Sequence, residues 1–179
     1  RILHGGRISL TIGFLAVGLG LGIGGTLGLL AAYFRKLDNP IMRVMDILLA
    51  LPGILLAIAI VAALGPGVYE VMIAVGIGSI PVFARVTRSA VLGTKSETYV
   101  EAAQSVGAGD SRIIVRHILP NSFAPVLVYA TLQLATAILS ASILSFLGLG
   151  PQPPTPEWGA MVAAGRRYMT DTPHVILAP

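Results

Sequence analysis

The side chains that could do chemistry in this chain are few and far apart. Histidine, the usual general base and zinc ligand, occurs only as His4, His117 and His174, and no pair has metalloprotease-like spacing. Cysteine is absent, which excludes disulfides and cysteine metal sites. No Ser/His/Asp arrangement follows from the spacing. We therefore expect no catalytic residue, no metal ligand and no cofactor-binding residue in this chain.

Two glycine-containing stretches resemble nucleotide-binding motifs only superficially. Gly93-Thr-Lys-Ser96 is similar to the end of a P-loop, but a threonine separates the glycine from the lysine and no glycine-rich loop precedes it. Gly20, Gly22 and Gly25 satisfy GxGxxG inside a long apolar run, where no strand–turn–helix unit surrounds them. Close packing between helices is the preferred interpretation of these glycines.

The longest clearly polar interval, residues 95–121, lies between two apolar stretches. We call it the elbow. A short helix is predicted to begin at Ser96 or Thr98, because Thr98 and Glu101 have the spacing of a capping box. An apolar stripe at helical spacing follows: Tyr99, Val100, Ala103 and Val106.

The second half of the elbow is predicted to be another short helix. Gly107 and Gly109 allow positive φ and should end the first helix. Asp110 is then expected to cap a helix running from Ser111 to about Leu119, which Pro120-Asn121 closes. The elbow is therefore predicted to be a helix–glycine–helix unit on a membrane surface.

Composition indicates an integral membrane protein. Of the 179 residues, 55% are hydrophobic and only 11% are charged, whereas soluble domains carry about 25% charged residues. Nucleic-acid binding is disfavoured, because the basic residues do not cluster with aromatic ones. The chain begins without Met and ends in an apolar run, so we expect one transmembrane domain (1–179) cut at both ends.

Three apolar stretches are long enough to cross a bilayer, which requires about 20 residues. A further stretch is uncharged only from Val71 to Ala84 and is expected to extend through Arg85 toward Leu92 to complete a fourth span. Their approximate bounds are 8–34, 45–65, 70–90 and 123–149. Pro125 is expected in the first turn of the last span. In the first, the pairs Gly18/Gly22 and Gly24/Gly28 are predicted to allow close helix packing. The span interiors lack charges, which argues against a proton- or ion-coupled carrier.

Charges near the span ends predict the orientation. Arg85 and Arg88 are expected to extend toward the membrane surface, and Asp46 is expected to cap a helix at the interface. If the four spans alternate, eight of the twelve Lys and Arg residues lie on the side of the elbow and four on the other. The positive-inside rule therefore places the elbow in the cytoplasm and the proline-rich segment 150–179 outside.

Within the elbow, one residue pattern resembles a known family. Glu101-Ala-Ala103, Gly107 and Leu119-Pro120 are similar to the EAA loop of ABC-importer permeases, although His117 stands where the general pattern has Ile. The string Arg116–Asn121 instead resembles the dipeptide/oligopeptide/nickel branch, specifically its C-type subunit. Other segments are similar to the same branch: Gly6–Leu10, Met42–Leu49, Leu144–Gly150 and Gln152–Gly159.

This resemblance implies an all-α, polytopic membrane protein with the helical bundle of a type I (MetI-like) ABC-importer permease. It implies import of di- or oligopeptides, with nickel or another small solute as the alternative, across the cytoplasmic membrane of a bacterium or archaeon. The implied partners are a second related permease, two cytoplasmic ATPase subunits that bind ATP and Mg²⁺, an external substrate-binding protein and membrane lipid.

By resemblance, the coupling residues that meet the ATPase are Tyr99, Glu101, Ala102, Ala103, Gly107, Leu119 and Pro120. Ordinary roles remain open for them: Glu101 in a capping box, the alanines in helix packing, and Gly107 at a helix end. Two rival functions also remain open. One is an ATP-independent channel or secondary carrier, and the other is a structural subunit of a larger membrane complex.

Overall fold

A computed structural model of the chain describes residues 1–169 and Thr172, and every regular element among these residues is a helix. A π-helical turn (Ile114–Ile118) joins α6 to α7, and a 3-10 turn (Arg166–Tyr168) follows α8. The α-helices are α1 (Ile2–Tyr33), α2 (Arg35–Ala50), α3 (Gly53–Leu64), α4 (Val68–Lys95), α5 (Thr98–Ser105), α6 (Asp110–Ile113), α7 (Leu119–Phe146) and α8 (Trp158–Gly165).

Three helical runs among the described residues are long and apolar enough to cross a membrane: α1, α4 and the run from Asp110 to Phe146. The predicted span at 45–65 is not one helix, since α2 and α3 meet there at an angle of 88°. Pro52 explains the break. Its missing N–H and its ring prevent α2 from continuing, and Pro52 instead precedes the first turn of α3. Counting this bent pair as one span gives four.

The predictions about the two prolines near the start of α7 are wrong. Pro120-Asn121 does not end a helix, because α7 begins at Leu119 and continues through both residues. The π-helical turn lies immediately before, with the Leu119 N–H bonded to the Ile114 carbonyl five residues back. In a regular α-helix the Pro120 ring would clash with the carbonyl four residues before it. The wider π-helical turn lies at that position. Pro125 consequently lies in the helix interior and not in its first turn.

The chain divides into two compact units, each containing parts of the long helices. The first unit comprises residues 1–19, 51–78 and the described residues of 133–179. In this unit Glu157 is fully buried and accepts hydrogen bonds from the Ser9 hydroxyl (3.0 Å) and from the Ala160 N–H (3.0 Å). The half-buried Trp158 donates from its indole N–H to the Ile2 carbonyl at 3.1 Å. These bonds hold the start of α8 against α1.

The second unit comprises residues 20–50 and 79–132. Here α1 approaches α4 so closely that a Cβ on Gly24 would lie 2.8 Å from the Phe83 Cβ. A Cβ on Gly28 would overlap the backbone of Ala84. The predicted close packing at Gly24/Gly28 is therefore confirmed. Gly18 and Gly22 have nothing within 4 Å among the described residues, so for them the prediction stays untested.

Outside the described residues lie 170, 171 and 173–179, which belong to the predicted proline-rich segment 150–179. The described part of that segment contains a cis peptide bond between Pro153 and Pro154, followed by α8.

Candidate functional site

The elbow predicted from the sequence lies in the second unit and is built around α5. Val100 is fully buried and anchors the helix in an apolar cluster. Five other buried residues form that cluster: Ala32, Tyr33, Val91, Ile113 and Ile118. They come from α1, α4, α6 and the π-helical turn. The anchor therefore ties α5 to the ends of two long apolar helices and to the segment that leads into α7.

The start of α5 at Thr98 confirms the predicted helix start, but the predicted cap is absent. Within the described residues, the preceding residue Glu97 makes no side-chain cap hydrogen bond, and Thr98 is already the first helical residue. A capping box requires the hydroxyl residue at the non-helical position before the helix. The Thr98/Glu101 capping box is therefore wrong, which frees the Glu101 carboxylate from that role.

The C-terminus of α5 confirms the prediction for Gly107. This residue has φ +81°, the left-handed conformation that glycine adopts without penalty. The Gly107 N–H bonds the Gln104 carbonyl at 2.9 Å, and the Ala108 N–H bonds the Ala103 carbonyl at 3.0 Å. This pair of bonds is a Schellman motif. Gly109 has φ −70°, so the positive φ predicted for it is wrong.

The opposite side of α5 is open. Glu101 and Ala102 are exposed and Ala103 is half-buried. Of the predicted apolar stripe, only Val100 is buried, whereas Tyr99 is 40% and Val106 is 85% exposed. Apolar side chains this exposed, next to a carboxylate and two alanines on a short helix, form a surface suited to a protein partner.

The remaining predicted site residues, Leu119 and Pro120, are exposed on the first turn of α7. His117 connects that region to α5, since its ring lies 6.2 Å from the Tyr99 ring, centroid to centroid. Asp110 is the first residue of α6 and not its cap. Its carboxylate instead accepts a 2.6 Å hydrogen bond from the Tyr33 hydroxyl of α1.

Sequence reasoning missed the polar contacts that fix the elbow to the long helices. The Lys95 ammonium donates to the Tyr33 carbonyl at 2.7 Å and lies 5.0 Å from the centre of the Tyr33 ring. It thereby satisfies a carbonyl at the C-terminus of α1, where a cation also complements the helix dipole. The sequence offered one signal for this contact: Tyr33 lies at the end of one apolar span and Lys95 at the end of another.

Two ion pairs link α2 to α4. Arg88 binds both carboxylate oxygens of Asp38 at 2.6 Å, and Arg85 binds Asp46 at 2.6 Å. The prediction that Asp46 caps a helix is therefore wrong, because α2 runs through it and its carboxylate is paired. The two arginines were expected simply to extend into the interface. The bidentate Arg88–Asp38 pair is the more shielded of the two, and bidentate geometry is the stronger arrangement.

The elbow is a firmly anchored part of the second unit. No group of three or more His, Asp or Glu side chains able to hold a metal occurs in the part of the chain that the structure describes. The elbow combines a buried anchor, a fixed C-terminal turn and an exposed face on a short helix bonded to several spans. These features define a multi-spanning helical membrane protein with a short helix anchored to the ends of its long helices.

Comparison with known proteins agrees with this class. Residues 24–178 match the family described as binding-protein-dependent transport system inner membrane component. The chain belongs to that family, which confirms the resemblance seen in the elbow.

Similar curated relatives cover the whole chain. The glutathione transport system permease protein GsiD of Pectobacterium atrosepticum is 51% identical over 180 residues. The dipeptide transport system permease protein DppC of Alkalihalophilus pseudofirmus is 49% identical over 180 residues. The matches cover 100% of this chain but 60% and 59% of those proteins, so the chain spans about 60% of the length of these relatives.

Solved structures share the fold. An inward-facing crystal form of the MetNI methionine ABC transporter has a TM-score of 0.82 at 20% identity, covering 99% of this chain and 85% of that one. An amino acid ABC transporter described with histidines has a TM-score of 0.76 at 17% identity, with 99% and 84% coverage. The predicted fold class, an all-α importer-permease bundle, is therefore confirmed.

Proposed function

We propose that this chain is the permease subunit of a binding-protein-dependent ABC importer and forms part of the path by which a small peptide crosses the membrane. Membership of the inner-membrane component family supports the transport role. Two relatives about 50% identical are named for glutathione and for dipeptide transport. Di- and oligopeptides are therefore the proposed substrate class, ahead of nickel or another small solute.

The observation that carries the proposal is the exposed face of a firmly anchored α5. In an importer of this class, partner subunits hydrolyse ATP in the cytoplasm. A rigid contact must transmit their movement to the membrane-spanning helices. Val100 and the Schellman turn at Gly107 make α5 such a contact. Glu101 supplies a charged contact on its exposed face, and Ala102 and Ala103 allow close approach.

The complete transporter then contains several partners. A second, related permease completes the pathway, two cytoplasmic ATPase subunits bind ATP and Mg²⁺, and an external binding protein delivers the substrate. The elbow faces the cytoplasm of a bacterium or archaeon, as the excess of basic residues on its side supports. Tyr99, Leu119 and Pro120 border the docking surface, connected through the His117 contact.

Copurification of the full-length protein with its ATPase subunits tests this coupling role. Glu101→Ala is expected to weaken ATPase binding, or the ratio of transport to ATP hydrolysis, by at least about tenfold, since truncating a charge in an interface has effects of that size. Glu97→Ala is the matched control, because Glu97 is also exposed but precedes the helix. Equal behaviour of the two variants would remove Glu101 from the interface.

Uptake by proteoliposomes containing the full complex tests the substrate class and the rival functions. Dipeptide or glutathione should be taken up only with ATP and the binding protein present. Uptake of nickel alone would select the alternative substrate. Uptake without any ATPase subunit would identify a channel or carrier, and absence of uptake with an intact assembly would favour a structural subunit.

A further inference from the structure

A cationic cleft opens beside the elbow at the end of α1. It has a volume of about 560 Å³ and lies within the second unit. Residues 33–37 form one wall, and Lys95, Gln104 and Asp110 form the other. Three cationic side chains therefore face the cleft with only one carboxylate, which makes the cleft attractive to an anion.

Two of these cations are available to a ligand. Lys95 is occupied by the Tyr33 carbonyl, and Asp110 by the Tyr33 hydroxyl. Arg35 and Lys36 are exposed and have no ion-pair partner among the described residues. By contrast, Arg85 and Arg88 nearby in the same unit are both paired. The positive charge of the cleft is thus concentrated on one short segment.

The surroundings of the two cations are apolar. Phe34 and Leu37, which flank them in sequence, are 38% and 40% exposed. Leu30 and Ile23 extend an exposed apolar strip from Phe34 back along α1, because residues four and seven apart share one face of a helix. A free phosphate would bind the cations but leave this apolar strip exposed. An anionic phospholipid would bind the cations with its headgroup and cover the strip with an acyl chain.

We propose that this cleft binds the headgroup of an anionic phospholipid, with Arg35 and Lys36 on the phosphate and an acyl chain along the strip Ile23–Leu30–Phe34. Basic pockets at the end of membrane helices bind such headgroups in general, and each cation near the surface adds to the attraction. The site goes beyond the coupling role and does not depend on it. A lipid bound there holds α1 and α2 at the membrane surface next to α5.

Thermal unfolding of the delipidated full-length transporter provides the test. Phosphatidylglycerol should raise the Tm in a saturable way, whereas phosphatidylcholine should not. The double variant Arg35→Gln/Lys36→Gln should raise the half-saturating phosphatidylglycerol concentration by about tenfold or more, since two surface cations are lost. The matched control Arg43→Gln/Arg116→Gln removes two exposed cations that lie outside the cleft but on the predicted membrane side of the elbow. Its half-saturating phosphatidylglycerol concentration should equal that of the unmodified protein.

Further arms distinguish the possible occupants. Glycerol phosphate and inorganic phosphate at the same concentrations should leave the Tm nearly unchanged, and Leu30→Asn should weaken the effect of the lipid. Equal stabilisation by inorganic phosphate would overturn the lipid assignment in favour of a free anion. Normal lipid response combined with loss of the ATPase subunits in the double variant would assign the cleft to a protein partner. If that variant unfolds, the single variant Lys36→Gln replaces it and should also raise the half-saturating phosphatidylglycerol concentration. In the unmodified protein, 0.5 M salt should suppress the rise in Tm caused by phosphatidylglycerol. If neither change is seen, the lipid assignment is wrong.

Discussion

Gly107 is the residue on which the end of α5 depends. Its φ of +81° costs an alanine about 1 kcal/mol, although an added Cβ would meet nothing within 4 Å among the described residues. Gly107→Ala is therefore expected to speed hydrogen exchange of the Ala108 amide about fivefold, because that amide bonds back to Ala103 across the turn. The strain is purely a backbone effect and should not disturb neighbouring side chains.

Gly109 offers the control for that measurement. It lies two residues further on at φ −70°, and an added Cβ again meets nothing nearby in the described chain. Gly109→Ala should leave exchange at Ala108 unchanged or slow it slightly, since alanine restricts the unfolded chain. If both alanine variants exchange alike, the left-handed turn is not what holds the end of α5.

The sequence predicted the conformation of Gly107 correctly, but not that of Gly109 or the tertiary contacts of Asp110 and Lys95. Gly107 was predictable because few other residues tolerate positive φ. The role of Asp110 was not, because its carboxylate bonds a tyrosine 77 positions away. The same holds for Lys95, whose partner is the end of α1. A single sequence carries no signal for such distant pairings.

At the scale of elements, the contact between α1 and α4 in the second unit depends on the absence of side chains. Gly28→Ala would place a methyl group against the Ala84 backbone, which cannot rotate away. Overpacking of this kind costs about 1–3 kcal/mol, so the Tm of the full-length protein should fall by several degrees. Gly22→Ala, with open space at that position, should keep or raise the Tm through its better helix propensity. A similar loss in both variants would contradict the close approach.

The first unit depends on a buried carboxylate at the start of α8. Glu157→Ala leaves the Ser9 hydroxyl and the Ala160 N–H without their acceptor and removes the N-cap. The free energy of unfolding is expected to fall by about 2–3 kcal/mol. Glu157→Gln, which retains one acceptor oxygen, should lose about 1 kcal/mol. Denaturant titration of both variants beside the exposed control Glu97→Ala measures these differences, and three equal values would exclude a structural role for Glu157.

The elements themselves were largely predictable, but their boundaries at prolines were not. Apolar length sufficed to predict α1 and most of α7, whereas α4 was predicted by extending the short uncharged stretch from Val71 to Ala84 through Arg85. Pro52 breaks a span, whereas Pro120 and Pro125 lie within a helix. Pro120 lies within a helix because a π-helical turn precedes it, and no local sequence rule predicts that turn.

At the scale of the whole molecule, the bond between Lys95 and Tyr33 limits the membrane topology. It joins the last turn of α4 to the end of α1, so both ends lie on one side of the bilayer. An even number of crossings must therefore separate them. If α4 crosses once, we expect the bent pair α2–α3 to cross once as well and not to form a re-entrant loop. The sequence alone predicted four spans, and the contact between Lys95 and Tyr33 supports the crossing at 45–65 independently.

Labelling of single cysteines tests that topology, and the natural absence of cysteine makes each label unambiguous. Tyr69, 72% exposed at the start of α4, should react as Tyr69→Cys with an impermeant maleimide added to intact cells. Ser111→Cys in the elbow should react only after permeabilisation, because eight of twelve basic residues lie on its side. If both react from one side, the bent pair does not cross. If the sides are exchanged, α5 faces away from any cytoplasmic ATPase, and the coupling role fails although the fold stands.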